Sequence, residues 1–418
     1  MRVTMGHSKW LIFMNIVGTL ANASQQAIII VPVADLVGAP IKNFGLAKTA
    51  KDSYQKIPLS DEPQLGASGC PRIGQLLFNE AVRVISIEKD ENSDNNQACI
   101  AIENSYFIDP VSQQKKTIFW TQTKNLLLLN GISKKIIDET IPETPSYKKP
   151  SQPFKKNTLI LVKPFIDSKT GIIFSAGTRF LFDPVGNDAS FYSVKMLDPK
   201  TKQVISIRIP KDYARIIKKQ TKKQSIACFV ALLKEWAHQN RGIIFYVWGG
   251  SSFTTTCQDL GFEEQTITLA NGKKAVIYVR TNYNNHPFTG FDCAGIILRA
   301  AQICGIPYFY KNTYTLARQL KPLTKKQSLE EGDLIWIQGH VMIISNLKKN
   351  LLIEARGYRH EFGIVHEIEL EKVFKGIKTY TQLQDAYHQK IPLTRVNKSG
   401  KELDVNNVIV LKLESCWN

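Results

Sequence analysis

The chain lacks the marks of several familiar classes. No stretch approaches the ~20 consecutive apolar residues that a membrane-spanning helix needs. There is no C-x-x-C pair and no group of histidines at metal-ligand spacing, so zinc is not expected and no metal is assigned to the site. Acidic residues are scarce, with 36 Asp and Glu against 54 Lys and Arg and a formal net charge of +18. The surplus implies acidic partners. Yet the lysines fall mostly as scattered pairs, at 115–116, 148–149, 155–156, 218–219, 222–223, 273–274 and 325–326, with no single basic helical face and no recognised nucleic-acid module. Solvated surface charge is the simpler reading, and nucleic acid is not expected as a partner.

Cysteines are few and odd in number, at 70, 99, 228, 257, 293, 304 and 416. In an oxidising compartment an odd count leaves one thiol free, and Cys293 is the candidate. Spacing fixes no pairing among the others, and Cys228 and Cys304 lie on apolar helix faces where they can simply pack. Residues 1 to 23 join Arg2 and Lys9 to an apolar run, Trp10 to Leu20, and then Ala21-Asn22-Ala23. This is the plan of a secretory signal peptide cleaved after Ala23, and it implies a periplasmic or secreted protein with no stable membrane span afterwards. No cysteine follows the apolar run, which argues against a lipid anchor at that point.

The rest reads as three units. From about 28 to 136, short β-like runs broken by polar turns predict a small all-β domain, taken as 24–140. Residues 141–157 carry Pro142, Pro145, Pro150 and Pro153 among lysines, which predicts an extended, solvated linker. A second small β unit is expected over 158–220 and a catalytic unit over 221–418. The latter opens on a helix whose stripe is Ile226, Phe229, Val230, Leu233 and Trp236. Within it, Asn271-Gly272 between alternating runs predicts a hairpin inside an insertion spanning 251–290.

The chemistry concentrates on Phe291-Asp292-Cys293-Ala294-Gly295 and Gly339-His340-Val341-Met342-Ile343. Ile296, Ile297, Ala300, Ala301 and Cys304 make the stripe of a core-facing helix, with Asp292 to cap it and Gly305 to end it. That places Cys293 at the positive end of the helix. There a thiol pKa can fall, and free N–H groups can hold an oxyanion. A lone cysteine is ordinarily a small buried hydrophobe, so the reading needs its surroundings. His340 is the expected base. If 340–345 and 351–356 form a hairpin with its tip at 346–348, His340 faces Glu354, which would orient the imidazole. Arg356 lies one register step away, and His360 is the substitute.

Tyr246-Val247-Trp248-Gly249-Gly250, Asp292-Cys293-Ala294-Gly295, Glu331-Gly332-Asp333-Leu334-Ile335 and Gly339-His340-Val341-Met342-Ile343 follow one another over roughly 221 to 418. In that order they resemble the NlpC/P60 family of papain-like cysteine peptidases. Val31 to Leu36 with Gln75 to Val82 resembles the opening of bacterial SH3-like domains. The resemblance implies an α+β chain, a papain-like NlpC/P60 catalytic domain behind two small all-β SH3-like barrels.

It also implies a monomeric, cofactor-free hydrolase of peptidoglycan or muropeptides, cutting a stem-peptide amide, the γ-D-glutamyl-diamino acid bond first among them. Cys293, His340 and Glu354 would be catalytic, with the Tyr246 hydroxyl reaching the scissile carbonyl and Asp292 meeting a free amine of the stem peptide. The insertion departs from the family's short loop. Ala294 stands where the family usually has Ser, which removes a hydroxyl from the amine site. Glu354 stands where many members have His. Two other readings stay open, an acyltransferase on the same thiol fold and a silent wall-binding protein in which Cys293 is merely packed.

Overall fold

The computed structural model describes residues 24–40, 72–89, 96–150, 157–218, 220–238, 244–254, 262–268, 274–280, 289–357, 363–397, 400–405 and 407–417. The signal-peptide reading of 1–23, Cys70, Cys257, the Asn271-Gly272 turn and His360 lie outside them. Among the described residues no helix is long and apolar enough to cross a membrane.

The first strands are β1 (Gln25–Ile29), β2 (Val33–Val37), β3 (Arg72–Leu77), β4 (Ala81–Glu88), β5 (Gln97–Ala101), β6 (Ile118–Gln122) and β7 (Leu126–Leu128). They form one antiparallel sheet in the order β3-β2-β6-β5-β4-β1-β7. Alternation sets its core: Val82 and Val84 of β4 point in beside Ala27, Ile29, Leu36, Ile100 and Phe119, while Ala81 and Arg83 face out. A short helix not foreseen in the sequence, α1 (Lys134–Thr140), follows, capped by the Ser133 hydroxyl. It packs on the second sheet through Ile136 and Ile137, in a cluster with Leu127 and Leu197.

The described part of the Pro/Lys-rich stretch, 141–150, is not solvated throughout. Tyr147 packs edge-on against Tyr106 at 5.2 Å, its N–H donates to the Glu103 carbonyl, and the Thr144 hydroxyl accepts from the Ala81 N–H. Aromatic burial outweighs the extended habit of the flanking prolines here.

The second sheet holds β8 (Thr158–Leu161), β9 (Arg179–Asp183), β10 (Phe191–Leu197), β11 (Val204–Pro210) and β12 (Ala214–Ile216) in the order β11-β10-β9-β8-β12. Phe78 of the first sheet unit inserts into its core against Phe174 and Phe180. The two β units therefore share buried side chains.

The third unit opens with α2 (Lys222–Ala237), started by a full capping box between Thr221 and Gln224. Ser251–Ser252 forms β13, which pairs with β16 (Gly290–Phe291), and between them β14 (Phe262–Thr268) pairs with β15 (Lys274–Arg280) as an antiparallel hairpin. Helix α3 (Cys293–Ile303) and the short α4 (Thr313–Gln319) come next. The main sheet is built from β17 (Lys321–Pro322), β18 (Leu334–Ile337), β19 (His340–Asn346), β20 (Leu351–Arg356) and β21 (Ile364–Glu369). Helix α5 (Tyr380–Gln389) and the pair β22 (Leu393–Val396) and β23 (Glu402–Val405) precede β24 (Val408–Lys412), which returns to give the order β17-β24-β18-β19-β20-β21. Helix α3 packs on α2 and on β19 and β20, so the helix that Cys293 begins lies against the strands that carry His340 and Glu354. This is a mixed α and β architecture.

A buried polar cluster joins the units. Arg299 of α3 donates to Glu80 at 2.8 Å and to the Ser251 carbonyl at 2.9 Å, and Arg179 of β9 lies 3.5 Å from the same Glu80 carboxylate. Asn104 and the Leu77 N–H also donate to Glu80, and all three charged side chains are at most 4% exposed. Removing one partner of such a cluster leaves uncompensated buried charge. Glu80→Ala is therefore expected to destabilise the chain by about 3–5 kcal/mol, read as a lowered denaturant midpoint. A loss under about 1 kcal/mol would mean that water replaces the carboxylate.

Candidate active site

Asp292 caps α3 by accepting from the Gly295 N–H, which puts Cys293 at the first helical position. The helix ends with the Ile306 N–H on the Ala301 carbonyl and Gly305 at φ +72°, a Schellman stop at the expected glycine. Close approach explains the glycines of two motifs. The Asp292 N–H donates to the Gly250 carbonyl, and a Cβ on Gly295 would stand 1.9 Å from that same oxygen. Gly249 has φ +68°, and a Cβ there would stand 2.6 Å from the Arg72 carbonyl of the first sheet. The helix start can therefore seat only on a bare backbone turn.

The Cys293 side chain is buried, with the backbone N–H groups of Val341 and Ala294 facing its sulfur. Val341 follows His340, so the thiol lies beside the start of β19. His340 Nε2 is 2.7 Å from Glu354 Oε2, which fixes the tautomer with the proton on Nε2 and leaves Nδ1 free to accept. The structure thus brings His340 and Glu354 together, through a register different from the expected one.

The pairs Ile343↔Ile353 and Ile344↔Leu352 are followed by an irregularity before Asn346↔Leu351. Carried back along the strands, this sets His340 level with Arg356 rather than with Glu354. The error is two residues, and a two-residue shift keeps side chains on the same face. Glu354 reaches His340 diagonally.

Glu354 is fully buried and surrounded by cations that sequence reasoning did not assign. Oε2 also accepts from Arg395 at 2.6 Å, and Oε1 lies 3.2 Å from His366 Nε2 and 3.5 Å from Arg356 Nη1. Burial opposes its charge, but Arg395, then His340 and His366, hold the carboxyl well below the ordinary range. The same surroundings act on His340 in the opposite sense. Burial first and Arg395 second push its pKa down to about 4, against the pull of Glu354.

Cys293 is pushed up to about 12 by burial and by the Asp292 charge, with the Val341 N–H and Lys311 working the other way. Burial thus works against the low-pKa thiolate expected from the helix terminus, and it favours the neutral form of both thiol and imidazole.

Tyr246 is 6% exposed and belongs to the buried cluster that includes Cys293; its N–H donates to the Gly363 carbonyl and its backbone bridges to Phe291. It stands beside Phe291, two residues before Cys293 in the chain. Asp292 has a second partner that the sequence did not reveal, Lys311, whose ammonium stands 3.5 Å from Oδ2 and is 5% exposed. The Lys311 stem runs along Gly74 of β3, and its N–H donates to the Tyr106 carbonyl. The first β unit therefore helps to place a cation beside Asp292. Lys311 and Arg395 sit in ordinary sequence, and nothing in their local pattern marks them.

No protein-family model matches the chain, and no curated protein is significantly similar to it. Solved structures of NlpC/P60 proteins are similar to it in part. A family protein from Bacillus cereus aligns over 82% of this chain and 94% of its own at 17% identity and TM-score 0.47. An NlpC/P60 endopeptidase from Photobacterium damselae aligns over 95% and 74% at 10% identity and TM-score 0.48. The peptidoglycan hydrolase RipB from Mycobacterium tuberculosis aligns over 47% and 68% at 17% identity and TM-score 0.24.

A neutral pair has a pH signature. With the thiol pKa raised, the thiolate fraction at neutral pH is below that of a free thiol, so iodoacetamide labelling of Cys293 should be slow near pH 7 and rise into the alkaline range. Asp292→Asn removes a negative neighbour and should shift that rise to lower pH. Rapid labelling below pH 7, lost in His340→Ala, would instead indicate a thiolate–imidazolium pair.

Proposed function

We propose that the chain is a peptidoglycan hydrolase of the NlpC/P60 type, a cysteine peptidase that cleaves an amide of the stem peptide, the bond after γ-D-glutamate first among them. The observation that carries this reading is the His340–Glu354 hydrogen bond on strands crossed by the Cys293 helix. Two small β units, read as SH3-like, and an exported, periplasmic or secreted location belong to the same proposal. A basic surface suits a polymer rich in carboxylates.

In the resting enzyme the proton stays on Cys293. As the sulfur attacks the scissile carbonyl, His340 Nδ1 takes that proton, and the imidazolium forms against the Glu354 carboxylate. The oxyanion is held by the Cys293 N–H at the helix start, with the Tyr246 hydroxyl as the second donor. Collapse breaks the C–N bond, and the imidazolium protonates the leaving amine. Water, deprotonated by His340, then hydrolyses the thioester and restores the thiol. Because the free thiol is a poor nucleophile, activation is coupled to carbonyl binding, and water near the site meets little thiolate.

Asp292 is the candidate for the free amine of the stem peptide. Lys311 beside it is the candidate for an anion, and the α-carboxylate of a γ-linked D-glutamate is the anion nearest the scissile bond. Its ion pair with Asp292 is long at 3.5 Å, which suits a cation that also meets a substrate carboxylate.

Cys293→Ala should abolish hydrolysis of muropeptides while the unfolding transition stays cooperative, because alanine suits a helix start. Retained hydrolysis would remove the thiol from the mechanism. Lys311→Met should lower kcat/KM about 10- to 100-fold on stem peptides with a free α-carboxylate and leave α-carboxamide substrates nearly unchanged, the size expected for one charge-assisted hydrogen bond. Equal losses on both substrates would make Lys311 a support for Asp292 and nothing more.

A further inference from the structure

The catalytic helix carries a second cysteine chemistry at its far end. Cys304, at the C-cap of α3, is 1% exposed, and its sulfur lies 2.9 Å from the sulfur of Cys228 on α2, a residue that is partly exposed. Both atoms are thiol sulfurs, so this is closer than ordinary contact between unbonded side chains and close to bonding reach. Arg215 of β12 stands over the pair. One guanidinium nitrogen donates to the Cys228 sulfur and another to the Ile303 carbonyl in the last turn of α3. A cation at one sulfur of a close pair favours the thiolate that disulfide exchange requires.

We infer that Cys228 and Cys304 form a disulfide in the mature protein, with Cys228 as the attacking thiol, so that α2 is covalently tied to the end of the helix that begins at Cys293. Cys228 is the more accessible sulfur. Its pKa is held down to about 6 by the Cys304 hydrogen bond first and the Arg215 charge after it, while burial holds Cys304 well above the ordinary value.

The chemistry takes a disulfide-bearing oxidant of general form RS–SR. The Cys228 thiolate attacks one of its sulfurs and expels the first RS⁻. Cys304 then loses its proton and attacks the Cys228 sulfur, expelling the second RS⁻. Two protein thiols are oxidised by two electrons, and the oxidant leaves as two RSH. Cys293 takes no part, since it lies at the opposite end of α3 with its thiol protonated. The inference is independent of the hydrolase reading and holds for a silent protein as well.

Pairing Cys228 with Cys304 also closes a loop of 76 residues that contains the insertion hairpin and the Tyr246 wall. A crosslink over that length restricts the unfolded chain strongly.

The test incubates the full chain with oxidised glutathione, alkylates free thiols under denaturing conditions and maps peptides by mass spectrometry without reduction. The expected result is a Cys228–Cys304 linked peptide, with Cys293 carrying the alkyl label. Cys304→Ser should trap a glutathione adduct on Cys228. Dithiothreitol should lower the unfolding temperature by something on the order of 5–10 °C, and the Cys228→Ser, Cys304→Ser double variant should not respond to it. The inference is overturned if both residues are alkylated after oxidation of folded protein, or if either is found linked to a different cysteine such as Cys416. The peptide map uses the unaltered chain, so poor folding of a variant leaves its outcome decisive.

Discussion

A single carboxylate, Glu80, receives two buried guanidinium groups from different parts of the chain, Arg299 of α3 and Arg179 of the second sheet. Desolvating three charges is expensive, and the attraction among them returns that cost only where the geometry is met. The cluster therefore specifies position more than it stabilises. Helix α3 cannot rotate or slide without stranding Arg299, and the Ser251 carbonyl that Arg299 also holds ties in the turn that seats Cys293. Gln75 of the first sheet reinforces the same turn, accepting from the Ser251 N–H at 2.9 Å and the Ser252 hydroxyl at 2.7 Å. The β units are thus structural members of the site. Cutting them away would strand a buried cation on the catalytic helix and leave Gly249 without the backbone against which it packs.

A second buried carboxylate, Glu354, plays the corresponding part for His340. Four cationic or ionisable groups, Arg395, Arg356, His340 and His366, converge on it. With two arginines already neutralising Glu354, a proton on His340 is less needed by the carboxylate and more strongly repelled by the arginines. The depressed His340 pKa and the raised Cys293 pKa have a common root in burial, and each shift favours the uncharged form of its own group. In the neutral ring, donation of Nε2–H to Glu354 leaves Nδ1 as the acceptor.

What was legible in the sequence follows the range of the interaction. The Asp292 cap, the apolar stripe of α3 and the Gly305 stop depend on residues within a few positions of one another, and each stands where the pattern put it. Asn271-Gly272 foretold the pairing of β14 with β15 for the same reason. The link from His340 to Glu354 was reached through a hairpin register wrong by two, and it survived because strand faces repeat every second residue. Arg395, His366 and Lys311 were invisible. They approach from β22, β21 and the loop before α4, and only the folded sheet and the first β unit bring them to the site. Helix α1 was missed because its seven residues make barely two turns, and its stability comes from packing on the second sheet.

The insertion and the paired thiols bear on one physical problem, which is how to hold the start of α3 in place when a long segment departs beside it. Residues 251 and 252 pair with 290 and 291, so the inserted segment leaves and re-enters through a closed two-residue ladder beside Cys293. Phe253 extends the anchorage, its N–H donating to the Ser175 hydroxyl and its carbonyl accepting from the Ala176 N–H of the second β unit. Stacking of Phe291 on Trp236 at 4.8 Å fixes the returning strand to α2. The two points where the inserted segment departs and returns thus carry three constraints: a ladder, an inter-unit hydrogen-bond pair and an aromatic stack. Cys228 and Cys304 lie at the other end of the same α2–α3 contact. Tying that end covalently would hold α2 and α3 together at the end opposite Cys293.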